Sequence, residues 1–118
     1  MIIWLCGASG SGKTTLATYL AEILNAPIVD ADVYRKKWSD LGYSKDDRME
    51  SCDNLLYEAS ALQARNSFVI VCAIAPYKEW RDNQHFVKFI QVSHEGAKRR
   101  DDDVLFEDIK GLTFNITL

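Results

Sequence analysis

The chain opens on six apolar residues, MIIWLC, and a polar, glycine-rich segment ends that run at Gly7. So short an apolar stretch predicts a buried strand over Ile2–Cys6. From Lys13 to Leu24, Leu16, Tyr19, Leu20, Ile23 and Leu24 recur at helical spacing, which predicts an amphipathic helix resting on those side chains. Pro27–Asp30 reads as a short second strand ending in acid. Asp32 is placed to cap a brief helix through Trp38, and a loop follows around Leu41-Gly42-Tyr43. Met49, Cys52, Leu55, Leu56, Ala59 and Leu62 mark one face of a long helix from Asp46 or Asp47 to about Arg65. Phe68–Ile74, FVIVCAI, is apolar throughout, as a parallel strand covered on both faces requires. Pro76 breaks that pattern. A short helix within Tyr77–Gln84, a strand over Phe86–Val92 and a helix from Glu95 to about Asp101 are expected next, and the alternation of TFNITL predicts a half-buried edge strand.

Strands alternating with helices predict an α/β fold in three layers: a mainly parallel, twisted sheet of about four to five strands flanked by helices, with active residues at the strands' carboxyl ends. The 118 residues suit one domain spanning 1–118. Apolar residues at 47% and charged ones at 26% exclude a disordered chain. A net charge of −3 argues against nucleic acid or an anionic membrane as partner, so small molecules are expected instead. Cys6, Cys52 and Cys72 are odd in number and lack C-x-x-C spacing, as reduced, buried thiols of a cytoplasmic protein would. The short apolar opening without a basic leader reads as neither signal peptide nor membrane anchor, so the glycosylation pattern at Asn115-Ile116-Thr117 is accidental. His85 and His94 have no partner at metal-ligand spacing.

The segment between the first strand and the first helix carries the chemistry. GASGSGKTT, residues Gly7, Ala8, Ser9, Gly10, Ser11, Gly12, Lys13, Thr14 and Thr15, fits the phosphate-binding pattern G-x-x-x-x-G-K-[ST] without a gap. Glycines let successive N–H groups turn inward on phosphate oxygens, and a helix starting near Lys13 adds its positive end. Lys13 would bridge the outer phosphates of ATP, and the Thr14 hydroxyl would be a ligand of Mg2+. The second strand ends at Asp30-Ala31-Asp32, followed by Arg35. Two carboxylates there suit magnesium-bound water or the proton of an attacking hydroxyl, and the arginine suits an anionic substrate. A helix cap and a surface arginine are the alternative reading of the same residues.

In order, GASGSGKTT, VDADVYR, DLGYSKDDRMES, VCAIAPYKEWRD and RRDDDVLF resemble the motifs of the adenylylsulfate kinases, P-loop kinases of sulfate assimilation that move the γ-phosphate of ATP to the 3′-hydroxyl of adenosine 5′-phosphosulfate. The resemblance runs through most of the chain and is most particular at Asp40-Leu41-Gly42-Tyr43-Ser44, followed by Asp47-Arg48 and Glu50. It implies an ATP- and magnesium-dependent phosphotransferase in which Lys13, Asp30 and Asp32 are catalytic and Thr14 and Asp30 serve the metal. It also implies that Asp32, Arg35, Tyr43, Arg48, Ser51, Ile74 and Ala75 line the acceptor site. Arg35 and Arg48 would hold the phosphosulfate, and Tyr43 would stack on adenine where the family has a related aromatic.

Departures accompany the likeness. Ala31 replaces the glycine between the family's acids, Ser51 an asparagine, and Ala75 a serine sometimes assigned as a phosphorylated intermediate. After Arg100-Asp101 the family continues through a lysine-bearing lid and a second stacking aromatic. Here Asp103 and Val104 replace the family's lysine and glycine, and Arg99 and Arg100 are left as candidate lid cations. Ile109–Thr113 reads either as a lid remnant with Leu112 replacing the aromatic or, with the lid deleted, as the approach to TFNITL as the final strand; a reduced lid and C-terminus are expected either way. Other readings remain: a related kinase with another nucleotide, nucleoside or alcohol as acceptor, or an ATP-binding module with impaired catalysis. A second subunit, as in a homodimer, is one way to cover the exposed edge strand.

Overall fold

In the computed structural model the described residues are 1–8, 12–38, 40–93, 107 and 113–115. The elements run β1 Ile2–Cys6, α1 Lys13–Leu24, β2 Ile28–Asp30, α2 Ala31–Tyr34 with a tighter turn over Arg35–Lys37, α3 Lys45–Gln63, β3 Val69–Cys72, α4 Lys78–Asp82, β4 Val87–Ser93 and β5 Thr113–Asn115. The strands form one sheet in the order β2-β3-β1-β4-β5, and each neighbouring pair is parallel. The expected α/β architecture is therefore present, with β5 at the edge. The expected helix over 95–101, with His94, Arg99, Arg100, Asp103, Val104 and Leu112, lies outside the described residues, as do Ser9, Gly10 and Ser11. Among the described residues no helix is long and apolar enough to cross a membrane.

Alternation along the strands divides the core between two faces. Trp4, Cys6, Val69 and Val71 share one cluster with Cys52, Leu55 and Ala59 of α3 and Trp80 of α4. Leu5, Ile70, Cys72 and Val92 share the other with Leu16 and Ala17 of α1. Helices on both faces explain why β1 and β3 are apolar at nearly every position.

Several details differ from expectation. Tyr19 and Ile23 of α1 are 63% and 60% exposed. The stripe that meets the sheet runs through Leu16, Ala17, Leu20 and Ala21, because the small alanines let the helix approach closely while Tyr19 and Ile23 rotate away. Phe86 is 91% exposed and precedes β4 instead of starting it. The cap of α2 is Asp30, whose Oδ1 accepts from the Asp32 amide at 2.9 Å, so Asp32 is a first-turn acid and not the cap. By contrast, the long-helix face is as expected: Cys52, Leu55 and Ala59 are buried, with Met49, Leu56 and Leu62 packed around them.

Candidate functional site

The site lies at the carboxyl ends of β1, β2 and β3, and sheet register assembles its first part. Leu5 pairs with Cys72, and Cys72 pairs with Asp30, so one row crosses the three strands. Side chains in such a row share a face, and Leu5 and Cys72 face α1, so Asp30 is directed toward α1 as well. Thr14, in the first turn of α1, brings its Oγ1 to 3.8 Å from Cys72 Sγ. Burial pushes the Cys72 thiol above its ordinary value. The Thr14 hydrogen bond and the Lys13 charge oppose that rise, while Asp30 and Asp32 add to it. Lys13, Thr14, Asp30 and Asp32 therefore act on one point. Cys72 was expected only as a buried thiol; the clue to its place is that β3, Val69–Cys72, ends in cysteine, and no aspartate follows within FVIVCAI where a phosphate-loop protein can carry one for magnesium.

Backbone conformation shapes the loop beside this row. Gly7 has φ 135° and Gly12 φ 97°, both in the region that side-chain-bearing residues avoid. The Lys13 ammonium donates to the carbonyls of Gly7 and Ala8, each at 2.9 Å, so the lysine folds over the loop. Gly12 caps α1 without a side-chain bond, and the first turn of α1 holds no acid, which keeps its positive end open to an anion. Asp30 uses Oδ1 for the α2 cap, and its carboxylate, a hard oxygen donor, stands in register with Cys72, the residue that Thr14 contacts. No group of three or more His, Cys, Asp or Glu side chains suited to a metal occurs among the described residues. A cation held at Thr14 and Asp30 would complete its shell with phosphate oxygens and water, the usual habit of Mg2+.

A second group forms where α2 faces the start of α3. Ser44 caps α3, its hydroxyl accepting from the Asp47 amide at 3.1 Å, and this fixes where the 40–44 loop enters the helix. Arg35 donates to the Gly42 carbonyl, and Arg48 Nε donates to the Tyr43 carbonyl at 3.0 Å. Both guanidinium carbons lie near the Tyr43 ring, at 4.5 Å and 5.3 Å from its centroid. That ring is 64% exposed, so Tyr43 is not a core aromatic. Two forked cations on an exposed aromatic form a platform for a ligand with both a flat ring and anionic oxygens. Ser51, by contrast, is buried on α3 at 6% exposure.

The segment after β3 connects the two groups. The Gly7 amide donates to the Ile74 carbonyl at 3.3 Å, which joins the phosphate loop to this segment. Ala75 is buried and takes φ 43°, a left-handed conformation unusual for alanine. Arg81, only 5% exposed, donates Nη1 to the Ala75 carbonyl at 2.7 Å and Nη2 to the Glu107 carbonyl. Glu107 returns the tie: its amide donates to the Pro76 carbonyl at 3.0 Å, and its Oε1 accepts from the Lys78 amide at 3.1 Å. The role of Arg81 escaped sequence reasoning because it depends on a residue 26 positions away. Cys52 lies behind the segment. Burial pushes its thiol up to about 12, Asp53 and Cys6 add to the rise, and a bond with the Ala75 backbone and the Arg35 charge oppose it.

A phosphate cradle with paired acids thus stands beside a cationic aromatic platform, the layout of an enzyme that moves a phosphoryl group onto an anionic, ring-bearing acceptor. The family model described as adenylylsulphate kinase matches residues 1–113. This chain belongs to the adenylylsulfate kinase family. Among its kinase relatives, the adenylyl-sulfate kinase of Picosynechococcus sp. is 35% identical, the match covering 94% of this chain and 72% of the relative. The hexameric APS kinase from Thiobacillus denitrificans is 25% identical with a TM-score of 0.70, over 95% of this chain and 24% of that one. The Mycobacterium tuberculosis APS kinase CysC, solved in complex with AMPPNP and APS, shares the kinase fold with a TM-score of 0.71 at 21% identity, over 97% of this chain and 87% of that one.

Proposed function

We propose that this chain transfers the γ-phosphoryl group of ATP to the 3′-hydroxyl of adenosine 5′-phosphosulfate. The observation that carries the reading is the convergence of Arg35 and Arg48 on the exposed Tyr43 ring, in a chain that also keeps Lys13, Thr14 and the Asp30–Asp32 pair. A bare ATP binder has no use for that platform. In the proposed reaction the 3′-hydroxyl oxygen attacks γ-phosphorus in line, the bond to the β–γ bridging oxygen breaks, and ADP leaves. The hydroxyl proton passes to Asp32, which is exposed and has its side chain free of the capping role. Lys13 exchanges its two loop carbonyls for phosphate oxygens and carries positive charge to the transferring group. Magnesium, bound through Thr14 Oγ1 and Asp30, would supply charge neutralisation at the β- and γ-phosphates. Arg35 and Arg48 hold the phosphosulfate, Tyr43 stacks on adenine, and Ser51, Ile74 and Ala75 complete the pocket. With Ala75 in place of a serine, transfer is direct and involves no phosphoserine.

The test is ADP release from magnesium-ATP with and without adenosine 5′-phosphosulfate, with Lys13→Ala as the blank. Lys13-dependent stimulation with a matching 3′-phosphorylated product is the expected result. ATP turnover stimulated only by another nucleotide or an alcohol would move the acceptor, and ATP binding without turnover would reduce the protein to a binding module.

A further inference from the structure

We infer that Asp47 is a positioning residue for the acceptor site, its carboxylate fixing the Gly42–Tyr43 loop on which Arg35, Tyr43 and Arg48 converge; the inference rests on the acceptor reading proposed above. Asp47 is the third residue of α3, and its amide is bonded to the Ser44 cap. In a reciprocal capping box the side chain at this position returns to the amide of the cap residue itself. Asp47 instead reaches two residues further back, where Oδ2 accepts from the Gly42 amide at 2.9 Å. Such a bond to a carboxylate is roughly twice as strong as one between neutral groups.

That single bond governs the groups the platform uses. The Gly42 carbonyl is the acceptor for Arg35, the Tyr43 carbonyl is the acceptor for Arg48, and the ring between the two guanidinium groups belongs to Tyr43. If Gly42 is released, all three lose their reference point. The neighbouring glycine fits the same purpose. A β-carbon on Gly42 would lie 2.9 Å from Asp47 Oδ2, too close for the carboxylate to stay where it is. Among the described residues the positive-φ glycines are Gly7 and Gly12, so Gly42 is present to make room for the carboxylate and not to permit a turn. Asp47 and Gly42 therefore form one device that can be broken from either side.

The experiment compares wild type with Asp47→Ala, Asp47→Asn, Gly42→Ala and the Asp47→Ala/Gly42→Ala double variant. The readouts are steady-state kinetics toward adenosine 5′-phosphosulfate and ATP, and hydrogen exchange at the Gly42 amide. Each alanine variant is expected to raise KM for the acceptor about tenfold and leave KM for ATP within about twofold, with the double variant no worse than the worse single one. Asp47→Asn keeps an oxygen acceptor and is expected to recover most of the loss. Exchange at Gly42 should quicken about tenfold in Asp47→Ala. Additive effects on acceptor KM, or an equal rise in KM for ATP as plain helix destabilisation would give, would overturn the inference. So would an unmoved acceptor KM. If wild type turns over ATP only with a different acceptor, the acceptor reading fails by itself, and Gly42 exchange still decides whether the carboxylate holds the loop.

Discussion

The two halves of the site, which we propose take ATP and the acceptor respectively, are held by different means. On the ATP side, position comes from the main chain: glycine conformations at Gly7 and Gly12, and a parallel register that sets Leu5, Cys72 and Asp30 in one row. On the acceptor side, position comes from side chains gripping a loop: Asp47 on Gly42, Arg35 and Arg48 on the next carbonyls, Ser44 on the helix start. A main-chain scaffold permits few substitutions, because any side chain at a positive φ is strained. A side-chain scaffold can be altered one contact at a time. On the proposed function, changes in acceptor preference are expected among residues 35–51, while changes around Gly12 and Lys13 should simply remove activity.

The largest expected effect tests the ATP side. Lys13→Ala should lower kcat by about 10²–10³-fold whichever acceptor is supplied, measured at saturating ATP. A loss confined to one acceptor would break the contrast. Next, Arg48→Ala should raise KM for adenosine 5′-phosphosulfate about tenfold to a hundredfold while ATP affinity, followed by calorimetry, stays put. Equal weakening of both ligands would show that the two sides are not separable.

Two smaller effects sharpen the contrast through stability. Burial raises Cys6 to about 12 against the opposing charges of Arg81 and Lys13, and raises Cys52 to about 12 behind the segment after β3. Both thiols have an ordinary value of 9.0. Between 9.0 and about 12 the unfolded chain gives up these protons more readily than the folded one, so the native state binds more protons and stability falls as pH rises. Below pH 9 the contribution is fully present. Thermal melts from pH 8 to 11 should show Tm dropping above about 9, and Cys6→Ala or Cys52→Ala should each flatten the drop. Smallest of all is Ala75→Gly. Relief of the left-handed strain, about 1–2 kcal/mol, offsets the lost methyl contact and the added chain entropy, so stability should stay within about 1 kcal/mol of wild type in denaturant titration. Ala75→Val, with a β-branched side chain at φ 43°, should be clearly worse.

The same division explains what could be read from the chain in advance. The bounds of β1 and α1 were legible because a short apolar run and a glycine-lysine motif are local signals. The buried face of α3 was legible because its apolar spacing has no competing alternative. On α1, Tyr19 and Ile23 completed an apolar pattern on paper, but alanines set the contact with the sheet, and periodicity gives small residues too little weight. The α2 cap fell to Asp30 and not to Asp32 because either can cap a helix, and the choice depends on where β2 ends. Arg35, Tyr43 and Arg48 could be named through the family resemblance, yet the Asp47–Gly42 bond behind them could not. A serine followed three residues later by an acid predicts an ordinary cap, and only the folded loop shows the acid passing the cap by.

The aromatic cluster beneath the segment after β3 has an optical consequence. Trp4 donates Nε1 to the Ala73 carbonyl at 3.3 Å, Trp80 donates Nε1 to Asp53 Oδ1 at 2.8 Å, and their ring centroids are 5.1 Å apart. Trp38, the third indole, lies beside Tyr34, and both pack against the same cluster. Indole emission responds to hydrogen bonding and to nearby charge, so a ligand that moves the segment after β3, or draws Arg35 away from its loop, writes a signal into the protein's own fluorescence. The molecule carries reporters close to its proposed acceptor site, readable without any attached dye.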